Sequence, residues 1–178
     1  MKQIILTLFF ALIYSINYGQ TPAQESKASK GVPVIFVDSI RISQADMQKY
    51  KPDDIATITV YKDSMAYRHL DSNAIGVVYI ETKQFSKKRF LNYFNSKSSE
   101  FKHLLMSEQS DDNFLYILNG KVLGKGYEGK LTAINDKNFK SITVINNKEL
   151  ANKYGNTEKN FGILIVADVP ENAPKKKE

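Results

Sequence analysis

The tripeptide Ile-Thr-Val occurs at residues 58–60 and again at 142–144, and around each occurrence the same succession of patterns returns. Self-similarity at a fixed spacing constrains a chain more than any single element does. It asks for one small unit built twice, with the same local preferences satisfied in each copy.

Residues 34–42 read Val-Ile-Phe-Val-Asp-Ser-Ile-Arg-Ile, and residues 115–122 read Leu-Tyr-Ile-Leu-Asn-Gly-Lys-Val. Each is an apolar strand running into a turn pair, Asp38-Ser39 or Asn119-Gly120. Asn-Gly is a strong turn signal because both residues tolerate positive φ. The second segments, 54–63 and 138–147, alternate apolar and polar residues. Alternation marks a half-buried strand, here with Ile58, Val60, Ile142 and Val144 on the core side.

A short helix is predicted after each, capped by Asp63 or Ser64 in the first copy and by Asn147 in the second. Leu150, Ala151 and Tyr154 share one face of the second helix, and Gly155 stands where a helix-ending glycine belongs. Ala66 and Leu70 hold the equivalent face in the first copy. The last strands, Gly76–Lys83 and Gly162–Asp168, are nearly continuous apolar runs, as expected when both faces are covered.

The offset between copies drifts from 81 (Asp38 to Asn119) to 84 (Ile58 to Ile142) and 86 (Gly76 to Gly162), the mark of loop insertions. In the first copy Ser43 and Asp46 open a helix that Pro52 ends. The second copy has a glycine-rich passage there, with helix expected only within Leu131–Asn138. Between the copies, residues 84–111 place Phe90, Leu91 and Phe94, then Phe101, Leu104 and Leu105, on one helical face. Lys87, Lys88, Arg89, Lys97 and Lys102 make the rest of the connector basic. We read it as a helix packed across the sheets with its lysines in water; adhesion to a membrane surface is the other use of such a helix. The predicted class is therefore α+β: two β-α-β-α-β units, 33–83 and 112–168, joined by an amphipathic helical connector.

The order strand, turn pair, Pro-x-Asp-Ile-x-x-Ile-x-Val-x-Lys-Asp, helix, Tyr-Gly, and Gly-Val followed by aliphatics and Thr-Lys resembles the plug domain of TonB-dependent outer-membrane receptors. The first copy carries Pro52, Asp54-Ile55, Ile58, Val60, Lys62-Asp63, Gly76-Val77 and Thr82-Lys83. The second carries Asn119-Gly120, Ile142, Val144, Tyr154-Gly155 and Gly162-Ile163. Leu70-Asp71 stands in place of Tyr-Gly in the first copy, and the Pro-Asp-Asp-Ile form is missing from the second. With 178 residues there is no room for a transporter barrel, so the resemblance implies a plug-like fold and no transport. The structural motif residues it singles out are Asn119, Gly120, Tyr154, Gly155, Gly76 and Gly162.

The N-terminus reads as an export signal. Lys2 precedes the apolar stretch 4–13, which at about ten residues is half the ~20 needed to span a bilayer. A more polar stretch ends at Gly19, a suitable cleavage position, so residues 1–19 are expected to be removed and the protein to be periplasmic or secreted. Residues 20–32 and 169–178 read as a flexible leader and tail. The formal charge is +6, and loss of residues 1–19 takes away Lys2 and no acid, leaving +5.

Cysteine is absent, which excludes disulfides, thiolate metal sites and cysteine nucleophiles. The two histidines, His69 and His103, fit surface helix positions. Gly124, Gly126 and Gly129 form a Gly-x-Gly-x-x-Gly string without the long helix that a phosphate cradle needs, so we read it as a loop. Asp53-Asp54 and Asp111-Asp112 are explained by caps and loop starts. No catalytic, cofactor-binding or metal-ligating residue is expected, no nucleic-acid partner, and no transmembrane segment after export. The expected function is a non-enzymatic binding or accessory module of the cell envelope whose partner is an envelope protein. A small secreted enzyme with an unrecognised site, and a basic protein binding anionic envelope polymers, stand as alternatives.

Overall fold

The computed structural model describes residues 31–62, 70–71, 73–155 and 158–169. Strands β1 (Val32–Val37), β2 (Ile40–Ile42), β3 (Ile55–Lys62) and β4 (Ala74–Thr82) form one mixed sheet in the order β2-β1-β4-β3. Helices α1 (Lys83–Lys97) and α2 (Ser99–Glu108) follow. Then β5 (Phe114–Leu118), β6 (Lys121–Val122), β7 (Phe139–Asn146) and β8 (Phe161–Ala167) form a second mixed sheet, ordered β6-β5-β8-β7. Helix α3 (Glu128–Thr132) precedes β7 and α4 (Asn147–Tyr154) follows it. The class is α+β.

The two sheets share strand senses as well as order: β1 and β5 lie antiparallel to their hairpin partners and parallel to β4 and β8, which pair antiparallel with β3 and β7. Both outer strands carry a bulge at the same place, between Ile55 and Thr57 and between Phe139 and Ser141. The hairpins turn on two consecutive positive-φ residues, Asp38 and Ser39 (50° and 72°) and Asn119 and Gly120 (50° and 80°), the backbone that matches strand twist.

Register corrects one alignment. Ile58 pairs with Ile80 and Ile142 with Ile165, so the last strands are offset by 85, not 86. Val77, not Gly76, is the counterpart of Gly162. Each glycine serves its own neighbour. A Cβ on Gly76 would lie 2.5 Å from the Tyr61 carbonyl oxygen, and one on Gly162 would lie 2.8 Å from Leu150 Cδ1. Gly162 thus lets α4 seat Leu150 on the sheet.

Other expectations also change. Beyond each turn pair the chain returns as a short strand, β2 or β6, which the sequence pattern does not mark as separate. The helix expected from Ser43 is a pair of 3-10 turns, Ala45–Lys49 and Pro52–Asp54. Ser43 and Asp46 do hydrogen-bond as a capping pair, but Pro52 arrives too soon for an α-helix to repay its nucleation. Helix is expected within Leu131–Asn138, but α3 runs Glu128–Thr132, so only Leu131 and Thr132 of that stretch are helical. The cap of α4 is Asn146, whose Oδ1 accepts the Glu149 N–H at 3.0 Å; Asn147 instead donates from Nδ2 to the Lys159 carbonyl. Asp63, Ser64, Ala66 and His69 lie outside the described residues.

The connector is two helices. Thr82 caps the first through the Phe85 N–H, and Ser98 caps the second through the Phe101 N–H. Phe90, Phe94 and Phe101 are fully buried against β5 and β8, at Tyr116, Ile163 and Ile165. Each such side chain contributes roughly 1.5–3 kcal/mol. Leu104 is half-buried, while Lys88 and Lys97 are exposed, so the apolar face packs inward as expected. On the other side of the second sheet Leu150 packs with Ile117 and Ile145. Strand β8 is therefore covered on both faces.

Candidate interaction surface

Antiparallel and parallel partners share a face, so the registers map one sheet onto the other. The second sheet meets α1 and α2 with Tyr116, Ile163, Ile165, Ile142 and Val144. Their counterparts in the first sheet are Ile35, Val78, Ile80, Ile58 and Val60. Ile80 is buried, but Ile58 is 62% exposed and Val60 53% exposed. Ile40, opposite Val37 on the same face, is 67% exposed. The expectation that Ile58 and Val60 face a core is thus corrected. Alternation fixes which face a side chain joins; it does not supply a layer to cover that face. Among the described residues none covers these three.

Beside Ile58 and Ile80 lies an open, largely apolar hollow of about 390 Å³. Met47, Tyr50 and Pro52, from the 3-10 segment, and Ile55, Ala56 and Thr57, at the start of β3, complete its lining. The wall is held by a polar clasp. Lys49 Nζ donates to Asp46 Oδ1 at 2.6 Å and Ser43 to Asp46 Oδ2 at 2.7 Å. The Lys49 hydrogen bond, then the Ser43 bond, bring the Asp46 carboxyl down to about 2. The opposite face of this sheet is aromatic: Phe36 stacks on Tyr79 with centroids 5.0 Å apart, and Tyr61 meets Tyr79 edge-on at 5.8 Å.

Strand β3 is the outer strand of its sheet. Its first residues, Ile55–Thr57, are half-buried and its remaining five are exposed. Helix α3 rests on the bulge, where a Cβ on Gly129 would come 2.6 Å from the Ala56 carbonyl oxygen. The Gly-x-Gly-x-x-Gly string therefore serves chain geometry. Gly129 allows a close approach and Gly126 takes φ +77°, while Gly124 faces open space.

The connector is tied to the second sheet by a buried carboxylate at a position that the sequence alone marks only as a loop start. Asp111 is 4% exposed, with Lys87 Nζ at 2.5 Å and the Tyr116 hydroxyl donating to it at 3.0 Å. Burial first, then the Asp111 charge, pushes the Tyr116 hydroxyl far above the ordinary tyrosine range, and Tyr127 is shifted the same way for the same two leading reasons. Both stay neutral donors. Lys87 and Asp111 stand far apart in sequence, and no local pattern announces their pairing.

The motif residues have separate backbone roles. Asn119 and Gly120 make the second hairpin turn. Tyr154 is half-buried beside Leu150. Gly155 ends α4 at φ +89°, its N–H donating to the Ala151 carbonyl at 3.0 Å. Gly76 and Gly162 sit in the last strands of different sheets. His103 is exposed on α2. Among the described residues no three His, Cys, Asp or Glu side chains cluster to hold a metal, and no helix is long and apolar enough to cross a membrane. Ile40, Met47 and Tyr50 were not singled out in the sequence because they belong to the apolar face only through strand pairing and a 3-10 turn. Compared with known protein families, curated proteins and solved structures, the chain matches none.

Proposed function

We propose that this chain is an exported, non-enzymatic binding module of the cell envelope, with a plug-like fold and no transport activity, and that it works by engaging an envelope protein. The single observation that carries the reading is the exposed apolar pair Ile58 and Val60 on β3, beside the hollow at Met47 and Tyr50. Contiguous exposed apolar side chains on a folded surface mark interaction sites, because leaving them in water costs free energy that a partner recovers. The charge–apolar–polar order of residues 1–19 supports export, and the plug-like order of motifs supports an envelope setting.

The test has two arms. Mass spectrometry of the native protein should find a mature N-terminus at Gln20 or Thr21, recovered outside the cytoplasm; an intact Met1 or Lys2 refutes export. Affinity capture from envelope extract with the wild-type chain, and with I58D and V60D, should retain a partner that both variants lose. Identical captures with all three chains refute the surface.

A further inference from the structure

Asn119-Gly120 is the chain's one Asn-Gly pair. Asparagine is chemically labile, and most so before glycine, where no Cβ shields the next backbone nitrogen. The Gly120 nitrogen attacks Asn119 Cγ and gives up its proton through solvent to Nδ2. The Cγ–Nδ2 bond breaks, ammonia leaves, and a five-membered cyclic imide remains. Water then opens the imide at one carbonyl or the other, giving aspartate or isoaspartate. Water enters and ammonia leaves, so the step needs no oxidant or cofactor. Solvent has access to the turn, since a Cβ on Gly120 would meet nothing within 4 Å.

The fold opposes this reaction. Asn119 Oδ1 accepts the Ala167 N–H at 3.1 Å, and Nδ2 donates to the Ala167 carbonyl at 2.9 Å, both partly buried. Ring closure needs Cγ against the Gly120 nitrogen, so the amide must turn away from Ala167 and both bonds must break. We propose that Asn119 is a site of spontaneous deamidation, held off by the Ala167 clasp and converted when the clasp opens. The first sheet shows what the product meets. Asp38 holds the same turn position as a carboxylate, and Thr82 satisfies it with a hydroxyl as well as an N–H. Ala167 has no hydroxyl, so an aspartate at position 119 faces the Ala167 carbonyl with a second acceptor. Isoaspartate also adds a backbone carbon to a turn whose register pairs Leu118 with Lys121. Neither product remakes the clasp, so the change runs one way.

The test incubates the full chain at mildly alkaline pH, folded and in denaturing urea, and follows residue 119 by peptide mapping and mass spectrometry. Conversion is expected in urea, and slower by about tenfold or more in the folded chain, the factor for breaking two hydrogen bonds together. G120A should convert several-fold more slowly in urea, where the added methyl group crowds the attacking nitrogen and folding plays no part. I142A lowers stability away from the turn, so its folded-state conversion should match the wild type's if local opening of the clasp is what limits the reaction. By NMR, the side-chain amide protons of Asn119 should exchange more slowly than those of the exposed Asn92. Several results overturn the proposal. Equal rates in folded chain and urea, or no conversion in urea, deny the protection or the reactivity. G120A converting as fast as wild type in urea removes Gly120 as the nucleophile. Conversion in folded I142A that rises in step with its lost stability assigns the protection to the whole fold. Asn119 amide protons that exchange as fast as those of Asn92 show that the clasp does not hold.

Discussion

Asn119 holds Ala167 by both ends of its side-chain amide: Oδ1 accepts the Ala167 N–H at 3.1 Å, and Nδ2 donates to the Ala167 carbonyl at 2.9 Å. Asp38 does the corresponding work in the first sheet, but a carboxylate only accepts, so it takes the Thr82 N–H at 2.7 Å and the Thr82 hydroxyl at 2.8 Å. In each case the first residue of a hairpin turn is laced to the end of the last strand. Replacing Asn119 by Asp puts a carboxylate oxygen against the Ala167 carbonyl. N119D is expected to lose about 1–3 kcal/mol, the cost of an unsatisfied and repelled acceptor, in urea unfolding. Wild-type stability in N119D means the clasp contributes nothing.

Ile58 and Ile142 occupy equivalent positions and differ in cover. Ile142 packs against the core under α1 and α2, whereas Ile58 is 62% exposed. I142A is expected to cost about 2 kcal/mol, the low end for truncating an aliphatic because the site is half-buried. I58A should stay within about 0.5–1 kcal/mol, as for a surface substitution. Equal losses in denaturant unfolding indicate that the first sheet is covered in solution.

These two isoleucines also mark how far the sequence could be read. The repeated Ile-Thr-Val, the turn pairs and the apolar last strands placed six of the eight strands, because strand periodicity and positive-φ turns are local properties. The connector's apolar face was legible for the same reason. Cover was not, since it depends on which layer tertiary packing brings to a face. The return strands of three and two residues, Ile40–Ile42 and Lys121–Val122, are too short to show alternation. The capping Asn146 lies beside Asn147, and only geometry chooses between them. Asp111 and Lys87 meet by the path of the connector, which no spacing encodes.

Tyr116 makes stability sensitive to alkaline pH. Its hydroxyl stays neutral in the folded chain well beyond the ordinary value of 10.0, held there first by burial and then by Asp111. Above that value the unfolded chain releases the proton and the folded chain keeps it. The unfolded state then binds fewer protons, and stability falls as pH rises. The contribution is fully present below pH 10 and is lost above it, with Tyr127 acting in the same direction. Y116F removes one of the two. At neutral pH it should cost about 1 kcal/mol for the lost hydrogen bond to Asp111. Stepwise urea unfolding should show its alkaline decline to be shallower than that of the wild type. Parallel declines rule out Tyr116 as the group responsible.

Gly129 sets helix propensity against contact, and the magnitudes decide between them. Alanine in place of a helical glycine gains about 1 kcal/mol where nothing intervenes. Here the added Cβ would stand 2.6 Å from the Ala56 carbonyl oxygen and 3.0 Å from Thr57 Cγ2. A side-chain tip can swing aside, but the Ala56 carbonyl is backbone, set in the bulge of β3 between the paired residues Ile55 and Thr57. Relief therefore requires α3 to lift from the first sheet, and overpacking of this kind costs roughly 1–3 kcal/mol. The net expectation for G129A is a loss of up to about 2 kcal/mol, with faster hydrogen exchange at Ile55–Thr57 as the helix withdraws. G124A is the control: its Cβ meets nothing within 4 Å, so its stability should match the wild type within about 0.5 kcal/mol. Should G129A prove as stable as G124A, α3 does not bear on the bulge, and the two halves of the chain are joined there more loosely than the structure places them.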